Sequence, residues 1–354
     1  MSADRSYRVG ILGATGAVGT TILEVLAERD FPVSELVPFT SERSVGRRLQ
    51  FRDSEIECRA LSEESISGLD LVLSSAGGAV SAEWAPKLIE AGAVVVDNTS
   101  YWRMHEDVPL VVREVNPEAA GTHRGLVANP NCTTMQMVVA IAPLQREVGI
   151  ERLVVSTYQS VSGTGRNAIT ELEEQSRAIL GGDDRAPAQV YPHQVAFNVL
   201  PQVESFKDGD DYTTEERKVM AETRKILDVG DAELGISATC ARVPVVTGHS
   251  ESVNVELRSD LSPEDCRELL ASSPGVTVVD APGQGLYPLA IDVAGRDDVL
   301  VGRIRRDPSQ ERTLNLWIVG DNLRKGAATN AVQVAELLAE RDLVRVPEAA
   351  GAFA

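Results

Sequence analysis

Arg8-Val9-Gly10-Ile11-Leu12-Gly13-Ala14-Thr15-Gly16-Ala17-Val18-Gly19 is the stretch that decides the fold. Arg8 to Leu12 is a short, mostly apolar run, the pattern of a strand covered on both faces. It passes directly into Gly-x-x-Gly-x-x-Gly, a departure from the commoner Gly-x-Gly-x-x-Gly in that Ala14 stands at the second place. Val18, Ile22, Val25 and Leu26 then recur at helical spacing. Strand, glycine turn and helix in this order predict a dinucleotide site. Gly13, Thr15, Gly16, Ala17 and Val18 bring backbone amides to a pyrophosphate, and the helix N-terminus stabilises its charge.

Further apolar runs at Glu35–Phe39, Leu69–Ser74, Ala93–Asp97 and Gly125–Ala128 repeat the strand–helix alternation. They predict an α/β domain, a Rossmann-like doubly wound parallel sheet, over residues 1–131. After Cys132 the style changes. A buried helix to about Val148 leads to a strand at Arg152–Tyr158, helices at Asn167–Leu180 and Thr214–Leu227, and strands at Ile236–Val246, Ser252–Leu257, Val299–Ile304 and Thr313–Val319. The longer, alternating strands predict an α+β domain with a mixed or antiparallel sheet over residues 132–324. Ala327 to Leu338 has an apolar stripe and is expected to dock back on the first domain, so that 325–354 completes it; the small-residue tail from Glu348 is expected to fray.

A length of 354 residues suits two domains, each with its own core. The net charge of −19 repels phosphate backbones and anionic lipid, which argues against nucleic acid and membrane as partners. Gly125 to Gln145 carries no formal charge, but Asn129, Pro130, Asn131, Gln136 and Pro143 lie in it. Such groups would be unsatisfied in lipid, so the stretch reads as strand, turn and buried helix. The N-terminus turns directly into a strand pattern with no signal peptide. Cys58, Cys132, Cys240 and Cys266 show no disulfide or metal spacing, which fits a reducing cytoplasm and no metal.

The end of the second strand bears on the cofactor. Thr40-Ser41-Glu42-Arg43-Ser44 offers Arg43 with the hydroxyls of Ser41 and Ser44 to a ribose 2′-phosphate, which favours NADP; Glu42 facing the ribose would favour NAD instead. The nucleophile candidate is Cys132 in Ala128-Asn129-Pro130-Asn131-Cys132-Thr133-Thr134. A cysteine in the first turn of a helix faces its positive end, which favours the nucleophilic thiolate. Asn131 offers an amide donor beside it, and the free N–H groups of the helix start can stabilise an oxyanion. The other cysteines lack this setting and read as buried structural residues.

Gly13–Gly19, Asn129–Thr133 (NPNCT), Tyr158–Gly163 (YQSVSG), Arg242–His249 and Asp321–Gly326 (DNLRKG) together resemble aspartate-β-semialdehyde dehydrogenases, from residue 8 to about 340. The resemblance implies an architecture like that of glyceraldehyde-3-phosphate dehydrogenase and NADPH-dependent conversion of L-aspartyl-4-phosphate to L-aspartate-4-semialdehyde and inorganic phosphate. This reaction serves the synthesis of lysine, threonine and methionine. It implies that Cys132 forms an acyl-thioester, that Gln159 orients the acyl group and that His249 is the acid/base. It also implies that Arg242 holds the α-carboxylate, Glu215 the ammonium, and Arg103 with Lys218 the phosphate. Ser162, Gly163 and Asn322 match the nicotinamide side, and a homodimer through the second domain is expected.

The chemistry agrees with these roles: a thiolate attacks an acyl phosphate readily, and the thioester accepts hydride more easily than a carboxylate. Two other readings stand beside this one. N-acetylglutamyl-phosphate reductases use the same chemistry but usually carry Gly-Cys-Tyr where this chain has Asn131-Cys132-Thr133. A dinucleotide-binding homologue without catalysis would have no need of Cys132, Gln159, Arg242 and His249 together. Thr213 and Glu216 fit a capping box, which would free Glu215 to point elsewhere.

Overall fold

The structure, a computed structural model, describes residues 5–347. The tail expected to fray lies outside them. The chain divides into two compact units, Met1–Asn131 with Ala327–Ala354, and Cys132–Gly326.

The first unit begins β1 (Tyr7–Leu12), α1 (Ala17–Glu28), β2 (Val33–Phe39), followed by a hairpin of β3 (Arg48–Phe51) and β4 (Ser54–Glu57). It continues β5 (Leu71–Ser74), α2 (Gly78–Glu90), β6 (Val94–Asp97) and β7 (Leu126–Ala128). β2-β1-β5-β6-β7 form one parallel sheet in that order, a Rossmann-like arrangement. Val9, Ile11, Leu71, Leu73, Val94 and Val96 are fully buried, because helices cover both faces of such a sheet. Each such side chain stabilises the fold by about 1.5–3 kcal/mol. The hairpin and α2 are additions to the sequence reading. Leu49 and Phe51 of β3 turn inward to the core while Arg48 and Gln50 face water, a pattern only four residues long and too short to stand out.

The second unit begins with α3 (Cys132–Glu147), whose side chains from Thr133 to Leu144 are all buried; a helix apolar around its whole circumference belongs inside a core. Then follow β8 (Ile150–Gln159), α4 (Arg166–Leu180), α5 (Thr214–Leu227), β9 (Gly235–Arg242), β10 (His249–Leu257), α6 (Pro263–Ala271), β11 (Val276–Val278), α7 (Ala290–Val293), β12 (Val299–Arg306) and β13 (Thr313–Gly320). The sheet order is β11-β12-β13-β10-β8-β9. β8–β9 and β11–β12 pair parallel and the other neighbours antiparallel, so the sheet is mixed. α3, α5 and α6 pack against this sheet.

Several element ends shift by one to three residues, and the strand boundaries that move most, at β9 and β10, do so for one reason. β9 stops at Arg242 and not at Val246, and β10 starts at His249 and not at Ser252. The alternation rule expects apolar side chains at inward positions, whereas the inward positions here are Arg242, His249 and Glu251. Beyond β13 a π-helical turn, Arg324–Thr329, precedes α8 (Asn330–Glu340). Ala331, Val332, Val334, Ala335, Leu337 and Leu338 of α8 enter the core of the first unit. Among the described residues no helix is long and apolar enough to cross a membrane.

Candidate active site

Strand register assembles the polar cluster of the second unit. Gln159 is directly paired with Arg242 across β8 and β9, and Thr157 with Cys240. On the neighbouring strand Ser250 pairs with Tyr158, which sets His249 alongside Gln159. Side chains alternate across a sheet, so Gln159, Arg242 and His249 share one buried face, at 2%, 5% and 0% exposure. Cys132, first residue of α3, is half-buried, and its Sγ lies 3.3 Å from His249 Nε2. Gly326 packs closely against it: a Cβ there would stand 2.8 Å from the Cys132 Cβ.

His249 is neutral. Burial first, and the charge of Arg242 second, push its pKa well below the usual value. Ser160 decides which nitrogen carries the proton: its backbone N–H donates to Nδ1 over 3.0 Å, so Nδ1 accepts and the ring proton sits on Nε2, facing the sulfur. A Cβ on Gly163 would come within 3.3 Å of the ring's Cε1 and Nε2 and 3.7 Å of Arg242 Nη1, so bare backbone closes this side. Two residues along β10 on the same face, burial pushes the Glu251 carboxyl well up, against a smaller opposing effect of Gln136, and keeps it protonated. Gln136 Nε2 donates to the backbone carbonyl of His249 over 3.1 Å.

Arg242 donates from Nη1 to the Ser160 carbonyl at 2.6 Å, and its guanidinium lies over the Tyr191 ring, 5.6 Å from the centroid. Its buried Nε has no protein partner. The two adjacent carboxylates at the α5 N-terminus, Glu215 and Glu216, have different partners. Thr213 and Glu216 make the capping box, and Glu216 also accepts from the Cys240 N–H over 2.9 Å. Glu215, 3% exposed, instead accepts from Gln159 Nε2 over 3.1 Å. Lys218 forms ion pairs with Glu204 and, at 3.6 Å, with Glu215. Asn322 Nδ2 donates to Ser162 Oγ over 2.9 Å, and its Oδ1 accepts from Gly248 N–H and from Ser160 Oγ, each over 3.0 Å.

The remaining cysteines are different. Burial raises the pKa of Cys58 and Cys240 and pushes that of Cys266 up to about 12, so all three stay as thiols. His123 is also buried, where it accepts from Gly125 N–H, and His105 accepts from Asp107 N–H; both serve loop geometry.

The first unit holds the other predicted residues. Gly13 adopts φ +80, and a Cβ there would press on the Ser75 backbone at 3.0 Å, so the turn requires glycine. Gly16 caps α1 with extended backbone and no capping side chain, so the first-turn amides of Ala17 and Val18 point outward. Thr15 Oγ1 lies 3.0 Å from Thr40 Oγ1, which ties the glycine turn to the end of β2. Ser41 and Arg43 are exposed and Ser44 half-buried on the short turn Glu42–Ser44. Unpartnered amides at a helix start after a glycine turn are the setting in which a dinucleotide's pyrophosphate is held.

Arg103, 7% exposed, donates to the carbonyls of Asn129 (2.9 Å) and Asn98 (2.6 Å). The turn before Cys132 is clamped by amides: Asn330 Nδ2 donates to Asn129 Oδ1 at 2.6 Å, and Asn129 Nδ2 to Asn98 Oδ1 at 2.8 Å. Asn131, 7% exposed, follows in that turn. Ser160, Tyr191, Gln136, Glu251 and Asn330 were not singled out from the sequence. The strand alternation from His249 points to Glu251, and adjacency to Gln159 points to Ser160; no local signal marks the other three.

Comparison with known proteins matches residues 8–123 to the NAD binding domain of semialdehyde dehydrogenases and residues 141–325 to their dimerisation domain. An aspartate-semialdehyde dehydrogenase of Aquifex aeolicus is 53% identical over 341 residues, 96% of this chain and 99% of that protein. One of Legionella pneumophila is 53% identical over 345 residues, 97% of this chain and 98% of its own length. The solved structure of aspartate semialdehyde dehydrogenase II from Vibrio cholerae, complexed with ASA, is 46% identical with a TM-score of 0.92, covering 95% of this chain and 99% of that one.

Proposed function

The chain belongs to the aspartate-semialdehyde dehydrogenase family, enzymes of amino-acid biosynthesis, and from that premise we propose that Cys132 is its nucleophile and NADPH its reductant. The observation that carries the reading is the 3.3 Å approach of Cys132 Sγ to His249 Nε2 at the first residue of a helix, with the sulfur half-buried and the other three cysteines sealed.

The Cys132 thiolate attacks the C4 acyl carbon of L-aspartyl-4-phosphate. The acyl–oxygen bond breaks, inorganic phosphate leaves with that electron pair, and a thioester to Cys132 remains. Arg242 takes the α-carboxylate on the part of its fork without a protein partner. Glu215, hydrogen-bonded to Gln159, takes the ammonium, and that bond orients the Gln159 amide beside the acyl group. Lys218 and Arg103 receive the phosphate; Lys218 does so by exchanging its ion pair with Glu204. NADPH supplies the hydride that reduces the thioester. His249 offers its Nε2–H as a hydrogen-bond donor to the negative charge that develops on oxygen; when the oxyanion collapses to the aldehyde, the C4–S bond breaks and its electron pair leaves on sulfur as the thiolate.

The first unit supports the cofactor assignment through Gly13, Thr15, Gly16, Ala17 and Val18 at the pyrophosphate, and through Ser41, Arg43 and Ser44 at the 2′-phosphate. Ser162, Gly163 and Asn322 belong to the nicotinamide side in this reading. The buried free thiols suit a reducing cytoplasm. A homodimer through the second unit is expected to sediment at twice the chain mass. Tyr158 and Trp317, ring centroids 5.4 Å apart, lie near the partly exposed Tyr287 and Leu289 and offer it an apolar face.

The test is phosphate-dependent oxidation of L-aspartate-4-semialdehyde by the purified protein with NADP. Turnover is expected, and Cys132→Ala is expected to abolish it while dinucleotide binding persists. Activity retained by that variant would remove Cys132 as the nucleophile, and absence of turnover in the native protein would overturn the whole assignment.

A further inference from the structure

Arg242 carries its charge inside the fold, yet the protein gives it little hydrogen bonding. Nη1 donates to the Ser160 carbonyl over 2.6 Å, the buried Nε has no partner, and among the described residues no carboxylate pairs with it. A buried cation needs compensation. A carboxylate of the protein would supply it, but would also occupy N–H groups that a substrate carboxylate needs. The group placed there instead is an aromatic ring. The guanidinium carbon lies over Tyr191, 5.6 Å from the ring centroid, within the range in which an aromatic face attracts a cation. That attraction takes up no N–H.

Tyr191 is held in this place from several sides. It lies in the segment between α4 and α5, and two buried side chains of α4 tie that segment down. Glu171 accepts from the N–H groups of Gln189 and Val190, the two residues before the ring. Gln175 donates to the Pro187 carbonyl over 2.8 Å and accepts from the N–H groups of Val195 (2.9 Å) and Ala196 (3.1 Å). Val195 and Ala196 enter a small core with Val161 and Leu172, and Tyr191 packs against it. The Tyr191 hydroxyl donates to Thr164 Oγ1 over 2.9 Å, and Leu200 exchanges backbone hydrogen bonds with Arg242 over 3.0 and 2.8 Å. One segment thus meets Arg242 twice, at its backbone and at its charge.

We propose that Tyr191 is a positioning residue for Arg242: its ring steadies the buried guanidinium from one face, so that the cation is set before the substrate arrives and no N–H is drawn away from the substrate's α-carboxylate. The Ser160 carbonyl anchors one nitrogen, and the ring stops the planar group from swinging about that anchor. The inference rests on Arg242 being the carboxylate site. Without the ring the fork remains and still meets the carboxylate once bound. The deficit is then shared by ground and transition states and falls on KM, with kcat nearly unchanged.

The experiment varies the ring's electrons at nearly constant shape. Tyr191→Phe, Tyr191→Leu and full-length protein carrying trifluoro- or pentafluorophenylalanine at position 191 are assayed for oxidation of L-aspartate-4-semialdehyde at saturating NADP. Fluorine withdraws charge from the ring face, so cation attraction falls along the series while packing is kept. Tyr191→Phe is expected to stay within about twofold of the native KM for the semialdehyde. The trifluoro ring is expected to raise it about threefold, and the pentafluoro ring and Tyr191→Leu about tenfold, the scale of one desolvated cation–ring contact. The KM for phosphate, held by Lys218 and Arg103 in the proposed reaction, is expected to be unmoved. A semialdehyde KM that is flat across the fluorinated rings overturns the proposal, as does a loss confined to kcat or an equal rise in the phosphate KM. A folded Tyr191→Phe as impaired as Tyr191→Leu also overturns it, by assigning the effect to the hydroxyl on Thr164. The fluorinated rings keep the test decisive if the leucine variant does not fold. Arg242→Leu tests the carboxylate contact without reference to the ring: a native KM in that variant removes the reading of Arg242, whereas a large loss there beside a flat fluorinated series removes only Tyr191.

Discussion

Arg242→Leu puts the most weight on the geometry. The native guanidinium is 5% exposed, commits Nη1 to the Ser160 carbonyl at 2.6 Å, lies over Tyr191 and has no protein partner at Nε. A substrate carboxylate held by two charge-assisted hydrogen bonds, at about 1.5–3 kcal/mol each, loses about 3–6 kcal/mol when the fork is removed. At about 1.4 kcal/mol per factor of ten, kcat/KM is expected to fall by about 10²–10⁴. Part of the loss belongs in kcat, because the same contact aligns the acyl carbon with Cys132. Arg242→Lys keeps the charge but not the planar fork and is expected to recover only part of the loss.

A second consequence concerns the histidine. Burial is the main reason that the His249 pKa is low and Arg242 the other, so removing the arginine charge raises it. The ring then takes up its second proton at a higher pH, and the acid limb of the rate profile moves to higher pH. The assay is steady-state oxidation of aspartate-semialdehyde across a pH series, with folding checked by circular dichroism. A fall of less than tenfold in kcat/KM for the leucine variant, with an unmoved acid limb, would refute the carboxylate contact and the electrostatic coupling together.

Two other outcomes can be checked independently. Arg43→Ala is expected to weaken NADP binding by about tenfold, the scale of one exposed charge-assisted contact, and to leave NAD nearly unchanged; equal losses in calorimetric titrations with the two cofactors would defeat the 2′-phosphate assignment. Glu251, kept protonated by burial, has a folded pKa well above the usual 4.5. Above pH 4.5 the unfolded chain releases this proton while the folded protein retains it, so the native state binds more protons and its stability falls as pH rises from there toward the folded pKa. Glu251→Gln removes that slope, and urea unfolding is expected to show the variant gaining on the native protein between pH 5 and 7. Parallel pH dependences would mean that Glu251 is ionised in the fold.

Much of this was legible in the chain, because the relevant signals are local. The Gly13–Gly19 turn, the apolar runs of β1, β5 and β6, and the capping box of Thr213 and Glu216 are all set by neighbours within a few residues. Cys132 at a strand-to-helix junction is of the same kind. Where the reading slipped, at the ends of β9 and β10, the inward positions that should have been apolar hold Arg242, His249 and Glu251. A periodicity rule fails where a core position is polar, and a polar core position is where chemistry is placed.

The sequence by itself determined the two-part α/β organisation, the nucleotide turn and the candidate nucleophile, Cys132, since chain connectivity and side-chain alternation are properties of adjacent residues. Only the tertiary structure decided the protonation geometry. His249 and Ser160 are 89 positions apart, yet a backbone N–H of one fixes the tautomer of the other. Gln159 meets Glu215 across 56 positions, and Arg242 stacks on Tyr191. Hydrogen bonds and charge interactions act over a few ångströms of space whatever the separation along the chain, so the pairings that tune each group appear only once the strands have taken their register.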